Sequence, residues 1–208
     1  MAGIMKLMAE GIPVYWGLYV TVDNVDATLS QAAEAGATII QEGFDAPAVG
    51  RMGVFQDPFG AVISVIKYND PDHESHQREW ADCFTTHGVF SWFDLRVADA
   101  EAASAFYGDL FGWTTQKTEM PQGAYYIINV GEEGIGGMVS VAAEEMPPHW
   151  GAYVTVRDLD AFIASAESSG GKLLFPFVKI PEVGRFAAIS DPQGGVLAGF
   201  EYMIPDHS

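Results

Sequence analysis

The chain has 208 residues, of which 49% are hydrophobic, so it is able to bury a sizeable core in one or two domains. Its net charge of −18 opposes binding to nucleic acids or anionic membranes and would attract a cationic ligand. No apolar run reaches the roughly 18 residues of a membrane-spanning helix, and the single cysteine, Cys83, excludes an internal disulfide and predicts a cytoplasmic location.

A segment near the start of the chain is repeated near its end. Residues 13–62 align with residues 147–196 without a gap at a constant offset of 134, since 147 − 13 = 134. The two copies are identical at 19 of 50 positions, and Arg51 and Arg185 are one of the shared pairs. Two copies of one supersecondary unit are therefore predicted.

The linker and the second unit come next in chain order. Residues 69–86 are polar and acidic and are interpreted as a linker. Residues 87–141 share little identity with the repeat but predict the same order of elements. The predicted strands of this second unit are Ser91–Val97, Thr114–Thr118, Ala124–Val130 and Ile135–Val141. The predicted helix begins at Asp99 and ends at Gly112.

The last copy predicts the order βαβββ most clearly. Asp158 is a suitable helix cap, Gly170 suits the helix end, and the residues from Asp191 to Gly194 suit a type I turn. Its predicted strands are Trp150–Val156, Lys172–Ile180, Arg185–Ser190 and Val196–Tyr202. The chain thus contains three modules, approximately 13–68 (module 1), 87–141 (module 2) and 147–203 (module 3).

The modules predict a division into domains. Residues 1–68 form a partial domain, made of module 1 and a remnant strand that aligns at the same offset with residues near Gly136, and residues 87–208 form a complete domain of two modules. Module 1 would then have no partner module, or the sequence would be a truncation of a four-module protein. We expect a homodimer through the incomplete N-terminal domain, because an unpaired sheet exposes a face.

Several motifs resemble the vicinal oxygen chelate superfamily, which includes glyoxalase I, bleomycin resistance proteins and extradiol dioxygenases. They are Trp92-Phe-Asp-Leu-Arg-Val97, Phe106-Tyr-Gly-Asp-Leu-Phe-Gly-Trp113 and the two Asp-Pro-x-Gly turns. The resemblance implies an α+β fold of tandem βαβββ modules. Paired modules would form a cup-shaped mixed sheet with the helices outside and the ligand inside the cup.

The resemblance also implies a divalent metal held by ligands near the start of each first strand and in each last strand. In modules 2 and 3 these positions correspond to Trp92, Gly151, Gly137 and Ala198, none of which is a competent ligand. We therefore predict no metal and no cofactor. His149 shares a strand face with Gly151 and is the best substitute ligand, but one histidine makes a poor site.

The predicted lining of the cup has two parts. Trp92, Asp94 and Arg96 share one strand face, and Asp94 would anchor a cationic group, act as a general base, or pair locally with Arg96. In module 3 the predicted ligand-binding residues are Tyr153, Ala198, Phe200 and Arg185. The aromatic members would form a pocket wall or fill the cup as core, and Arg185 would bind an anion or hold a turn.

These residues favour a metal-independent protein that binds a small aromatic or apolar molecule, such as a cationic natural product. The alternatives are an enzyme of the same superfamily (a lyase, hydroxylase or dioxygenase with a nonstandard site) and a structural module whose cup is filled. The sequence leaves open whether the protein is an enzyme.

Overall fold

The computed structural model describes residues 14–70, 80–120, 123–142 and 146–203. The predicted remnant strand, in residues 1–13, and half of the predicted linker, residues 71–79, lie outside the described residues. The linker residues that are described include a 3-10 helix, Trp80–Phe84. In the described part of the chain, no helix is long and apolar enough to cross a membrane.

The described elements confirm an α+β fold with the predicted βαβββ order in each module. Module 1 contains β1 (Tyr19–Thr21), α1 (Val25–Glu34), β2 (Thr38–Ala46), β3 (Gly50–Gln56) and β4 (Val62–Tyr68). Module 2 contains β5 (Phe90–Val97), α2 (Ala100–Phe111), β6 (Thr114–Met120), β7 (Gly123–Val130) and β8 (Glu133–Ser140). Module 3 contains β9 (His149–Thr155), α3 (Leu159–Ser168), β10 (Lys172–Leu173), β11 (Val178–Ile180), β12 (Gly184–Ser190) and β13 (Val196–Tyr202).

The same pairing of strands recurs in all three modules. The first strand of each module runs parallel to its last strand, as β1 does to β4, β5 to β8 and β9 to β13. The remaining pairs within each module are antiparallel. The repeat in the sequence therefore corresponds to a repeat of topology.

The predicted helix caps explain where the helices begin and end. Asp99 caps α2 by accepting a hydrogen bond from the backbone N–H of Ala102, and Asp158 caps α3 in the same way. The backbone of Gly112 at the end of α2 is left-handed, with φ of 71°, a conformation that a residue with a Cβ adopts only at a cost.

One predicted strand is divided in two. Lys172–Ile180 was expected to be continuous, whereas the structure has β10 and β11 separated by residues 174–177. Pro176 lies in that interval and has no N–H to donate to the neighbouring strand β12, so the strand is interrupted there.

The chain divides into two compact units. The larger unit consists of Gly17–Phe84 and Phe90–Ala152, and the smaller unit of Met1–Trp16, Thr85–Val89 and Tyr153–Ser208. The larger unit therefore contains all the helices and strands of modules 1 and 2 together with the start of β9. The two units differ from the predicted domains, residues 1–68 and 87–208. That division into domains stays a prediction.

The larger unit has one core that modules 1 and 2 share. Val25 and Leu29 of α1 belong to the same buried cluster as Phe106 and Tyr107 of α2. The two sheets contribute the apolar residues Phe55, Ile63, Val65, Leu95, Val97, Ile128 and Met138. Burial of these apolar surfaces is the main favourable contribution to folding of this unit.

A buried polar network crosses that core. The Tyr107 hydroxyl donates a hydrogen bond of 2.7 Å to the Asp57 carboxylate and accepts one of 3.1 Å from the indole nitrogen of Trp150. The backbone N–H groups of Phe59 and Ala61 also donate to Asp57. Burial raises the pKa of Asp57, and burial together with the charge of Asp57 raises the pKa of Tyr107 well above its usual value. The phenol is therefore a neutral donor at physiological pH.

We predict that Tyr107→Phe lowers the free energy of unfolding by about 1–3 kcal/mol, because the Oδ2 atom of Asp57 loses its donor and the Trp150 indole N–H loses its acceptor. Urea unfolding followed by circular dichroism measures the change. The control is Tyr15→Phe, since Tyr15 is 49% exposed and its substitution should change stability by less than about 0.5 kcal/mol. Equal stability of the two variants would show that the network contributes little.

Candidate functional site

Strand β5 presents different side chains on its two faces. Leu95 and Val97 face α2 and belong to the core of the larger unit. Trp92, Asp94 and Arg96 alternate with them and therefore lie on the opposite face, which we call the distal face. Asp94 is only 7% exposed there, so its carboxylate requires hydrogen-bond donors.

The carboxylate of Asp94 receives two hydrogen bonds on one oxygen. Tyr125, on β7, donates its hydroxyl to Oδ1 over 2.5 Å. The indole N–H of Trp92 is shared between that same oxygen, at 3.1 Å, and the Tyr125 hydroxyl, at 2.7 Å. The second oxygen, Oδ2, lies 3.5 Å from the guanidinium of Arg96. We call Trp92, Asp94, Arg96 and Tyr125 the Asp94 cluster.

Two glycines provide the space that the cluster occupies. Gly137 of β8 pairs with Asp94 in the sheet, and a Cβ at this position would overlap the ring and hydroxyl of Tyr125. A Cβ at Gly151 of β9 would lie 3.1 Å from a guanidinium nitrogen of Arg96. Side chains from neighbouring strands therefore fill the positions where these two strands have none.

The positions that the resemblance assigns to metal ligands do not fit a divalent cation. Gly137 and Gly151 present no donor atom, and the Trp92 indole N–H donates hydrogen bonds but has no lone pair to give. Ala198, in the smaller unit, presents a methyl group. In the described ranges, no three or more His, Cys, Asp and Glu side chains are grouped closely enough to hold a metal ion.

His149, half-buried on β9, lies on the same strand face as Gly151. Its Nδ1 is 2.8 Å from the carbonyl oxygen of Pro147, which can only accept, so Nδ1 carries the proton. Burial lowers the pKa of His149, the charge of Arg96 lowers it further, and the Pro147 hydrogen bond and the charge of Asp94 oppose these effects. The ring is therefore neutral at physiological pH, and Nε2 has a lone pair.

The smaller unit brings together three of the four residues predicted for module 3. Ala198 pairs with Tyr153 in the sheet, and the rings of Tyr153 and Phe200 have centroids 6.2 Å apart. Phe186 joins them, with its ring 5.3 Å from Tyr153 and 5.7 Å from Phe200. Tyr153 and Phe200 are both buried within this cluster. Their role in ligand binding stays a prediction.

Arg185 lies on the other face of the same sheet. It pairs with Glu201 across β12 and β13, whereas the neighbouring pair, Phe186 and Phe200, points the opposite way. Its guanidinium contacts Asp160 at 3.0 Å and Glu201 at 2.9 Å. The structure therefore does not bring Arg185 together with Tyr153, Phe186 and Phe200.

The equivalent Arg51 makes the equivalent contact with Asp26, at 2.7 Å. The repeated arginine thus connects the first turn of a helix to the sheet in both modules.

Sequence reasoning assigned no role to Tyr125. Tyr125 and Tyr126 are adjacent on β7, so only one of them lies on the distal face, and alternation alone does not identify which one. The available signal was Gly137, because a glycine in a strand interior often marks a close approach by another group.

We predict that Gly137→Ala disrupts the Asp94 cluster, because the added Cβ displaces the Tyr125 ring from the carboxylate. The expected loss of stability is about 1–3 kcal/mol, as for overpacked cores. Gly134→Ala, on the same strand, is the matched control, since its Cβ would meet no atom closer than 3.6 Å. Urea unfolding measures both variants, and a crystal structure of Gly137→Ala with Tyr125 still bonded to Asp94 would contradict the prediction.

We predict that His149 makes stability depend on pH in a defined direction. Its pKa is lowered in the folded state, so below about 6.5, the pKa of an unperturbed histidine, the unfolded chain binds the proton more strongly. The stabilising contribution is therefore present above that pH and lost as the pH falls. His149→Asn keeps a donor for Pro147 but does not titrate, so wild type should lose stability relative to this variant on acidification. A constant difference in urea unfolding over that range would refute the assignment.

Comparison of the sequence with known proteins identifies the family of the chain. The chain matches the Glyoxalase/Bleomycin resistance protein/Dioxygenase superfamily over residues 10–65 and 89–199. It is 32% identical over 190 residues to CFP32 of Mycobacterium tuberculosis, a protein that is named as a proposed glyoxylase. The alignment covers 91% of this chain and 70% of CFP32. It is 28% identical over 192 residues to DnrV of Streptomyces peucetius, an anthracycline biosynthesis protein, covering 92% and 66% respectively.

Solved structures show the same fold at lower identity. A trihydroxybiphenyl dioxygenase from Sphingomonas wittichii has a TM-score of 0.58 at 15% identity, covering 93% of this chain and 73% of that one. A Mn(II)-bound glyoxalase from Novosphingobium aromaticivorans has a TM-score of 0.56 at 15% identity. The match covers 88% of this chain and 61% of the glyoxalase. The family-model match over most of the chain and the 32% identity to CFP32 show that the chain belongs to the glyoxalase/bleomycin resistance protein/dioxygenase superfamily.

Proposed function

We propose that the chain binds a small, largely aromatic molecule on the Asp94 cluster without a metal ion. The observation that carries the proposal is the buried carboxylate of Asp94, bonded to Trp92 and Tyr125 beside a position where the family resemblance implies a metal ligand. A fixed acceptor between two aromatic rings suits an aromatic ligand, because pockets for small molecules combine apolar walls with a few oriented polar groups.

The charge of the chain favours a ligand with a cationic group. The net charge is −18, so a cation is attracted at long range, and Asp94 supplies a negative charge at the cluster itself. The relative DnrV is named for anthracycline biosynthesis, and an anthracycline combines a flat aromatic ring system with an amino sugar. This class of natural product is therefore the first ligand to test.

We predict that an anthracycline binds the purified chain and that Asp94→Asn weakens binding about 10- to 100-fold, because one charged hydrogen-bonding partner contributes roughly 1.5–3 kcal/mol. Quenching of the anthracycline's own fluorescence gives the Kd. Asp23→Asn is the control, since Asp23 is a fully exposed acid whose loss changes the net charge equally. A metal chelator should not change the Kd. Equal affinity of Asp94→Asn and wild type would disprove this location for the site.

A metal-free enzyme is the second candidate. The observation that favours it is His149, whose neutral ring lies within electrostatic reach of Asp94 and Arg96 and is equipped to accept a proton. Mass spectrometry of an anthracycline incubated with the chain distinguishes the two functions. A product of altered mass that requires His149 would indicate an enzyme, and an unchanged ligand would indicate a binding protein.

A further inference from the structure

Arg96 and His149 form a second feature of the distal face, next to Asp94. The Arg96 guanidinium lies against the bare backbone of Gly151, two residues along β9 from His149 and on the same strand face. The two side chains are close enough for the charge of Arg96 to act on the imidazole. A cation and a neutral base thus lie on the same face of the sheet.

The tautomer of His149 decides what this pair is able to do. Because Nδ1 donates to the Pro147 carbonyl, the lone pair is on Nε2, and that nitrogen is the one able to receive a proton from a ligand. A guanidinium binds an oxyanion well, because it is always charged and presents several N–H donors in a plane.

We propose that Arg96 and His149 bind the ionised hydroxyl group of a phenolic ligand. The step is a proton transfer: the ligand O–H bond breaks, an N–H bond forms at Nε2 of His149, and the electron pair stays on the oxygen as a phenolate held by Arg96. No oxidant or reductant is needed. This inference rests on the proposed function, and it narrows the ligand from aromatic molecules in general to those with an acidic hydroxyl group.

The charges around the pair are compatible with this transfer. Asp94 repels a phenolate, but it is engaged by Trp92, Tyr125 and Arg96, so much of its field is compensated. After the transfer, the positive charges of His149 and Arg96 balance the negative charges of Asp94 and the ligand. Burial and the charge of Arg96 lower the pKa of His149, and Asp94 opposes them; the negative charge that forms on the ligand adds to the effect of Asp94 and favours the imidazolium.

The test uses 4-nitrophenol, whose phenolate absorbs visible light and whose neutral form does not, at a pH about one unit below its own pKa, where about a tenth is ionised. We expect the phenolate absorption to grow and saturate as the chain is added. The methyl ether, 4-nitroanisole, has no proton to lose and should bind about tenfold more weakly. Because this comparison uses only the wild type, it does not depend on the folding of a variant.

Variants then assign the effect to the pair. Arg96→Gln and His149→Asn should abolish the increase in phenolate absorption, whereas Arg157→Gln, which removes an exposed arginine of the smaller unit, should leave it unchanged. Absence of phenolate absorption at saturating protein, or its persistence in both site variants, would overturn the inference. If anthracycline binding still depended on Asp94 in that case, the proposed function would survive alone. Loss of both responses would remove the proposed function as well.

Discussion

The absence of two side chains, at Gly137 and Gly151, is the constraint on which the distal face depends. At Gly137 a Cβ would occupy the space of the Tyr125 phenol, and at Gly151 it would press on the guanidinium of Arg96. Because both positions are bare, side chains from adjacent strands converge on Asp94 and supply it with hydrogen bonds and an opposing charge. A buried carboxylate is stable in a protein only with such partners.

A residue on the core-facing side of the sheet, Trp150, fixes the position of β9 next to the Asp94 cluster. Trp150, between His149 and Gly151, points into the core and donates to Tyr107, which in turn donates to Asp57 in module 1. The start of β9 is therefore fixed from the core side while His149 and Gly151 face the Asp94 cluster. A polar network of this kind orients its members more sharply than apolar packing does. The fold and the candidate site are thus connected through alternate residues of one strand.

Much of the fold followed from sequence patterns, and less of the site did. The repeat at 134 residues, the capping residues Asp99 and Asp158 and the alternation of β5 act over short distances, so they predicted the modules and placed Asp94 beside Trp92 and Arg96. The bond from Tyr125 depends instead on the register of β7, which shifts between Ile128 and Asn129. Likewise, the contact of Tyr107 with Asp57 joins residues 50 positions apart, and no local pattern specifies it.

Tyr125, Asp94 and Arg96 form a hydrogen-bonded cluster of side chains in a place where the family resemblance implies a metal ion. Titration of the purified chain with Mn²⁺ by isothermal calorimetry, alongside Asp94→Ala, tests this most directly. We expect the wild type and Asp94→Ala to show the same absence of stoichiometric Mn²⁺ binding, because among the described residues Asp94 does not belong to any group of three or more His, Cys, Asp and Glu side chains. Stoichiometric Mn²⁺ binding by the wild type that disappears in Asp94→Ala would contradict it.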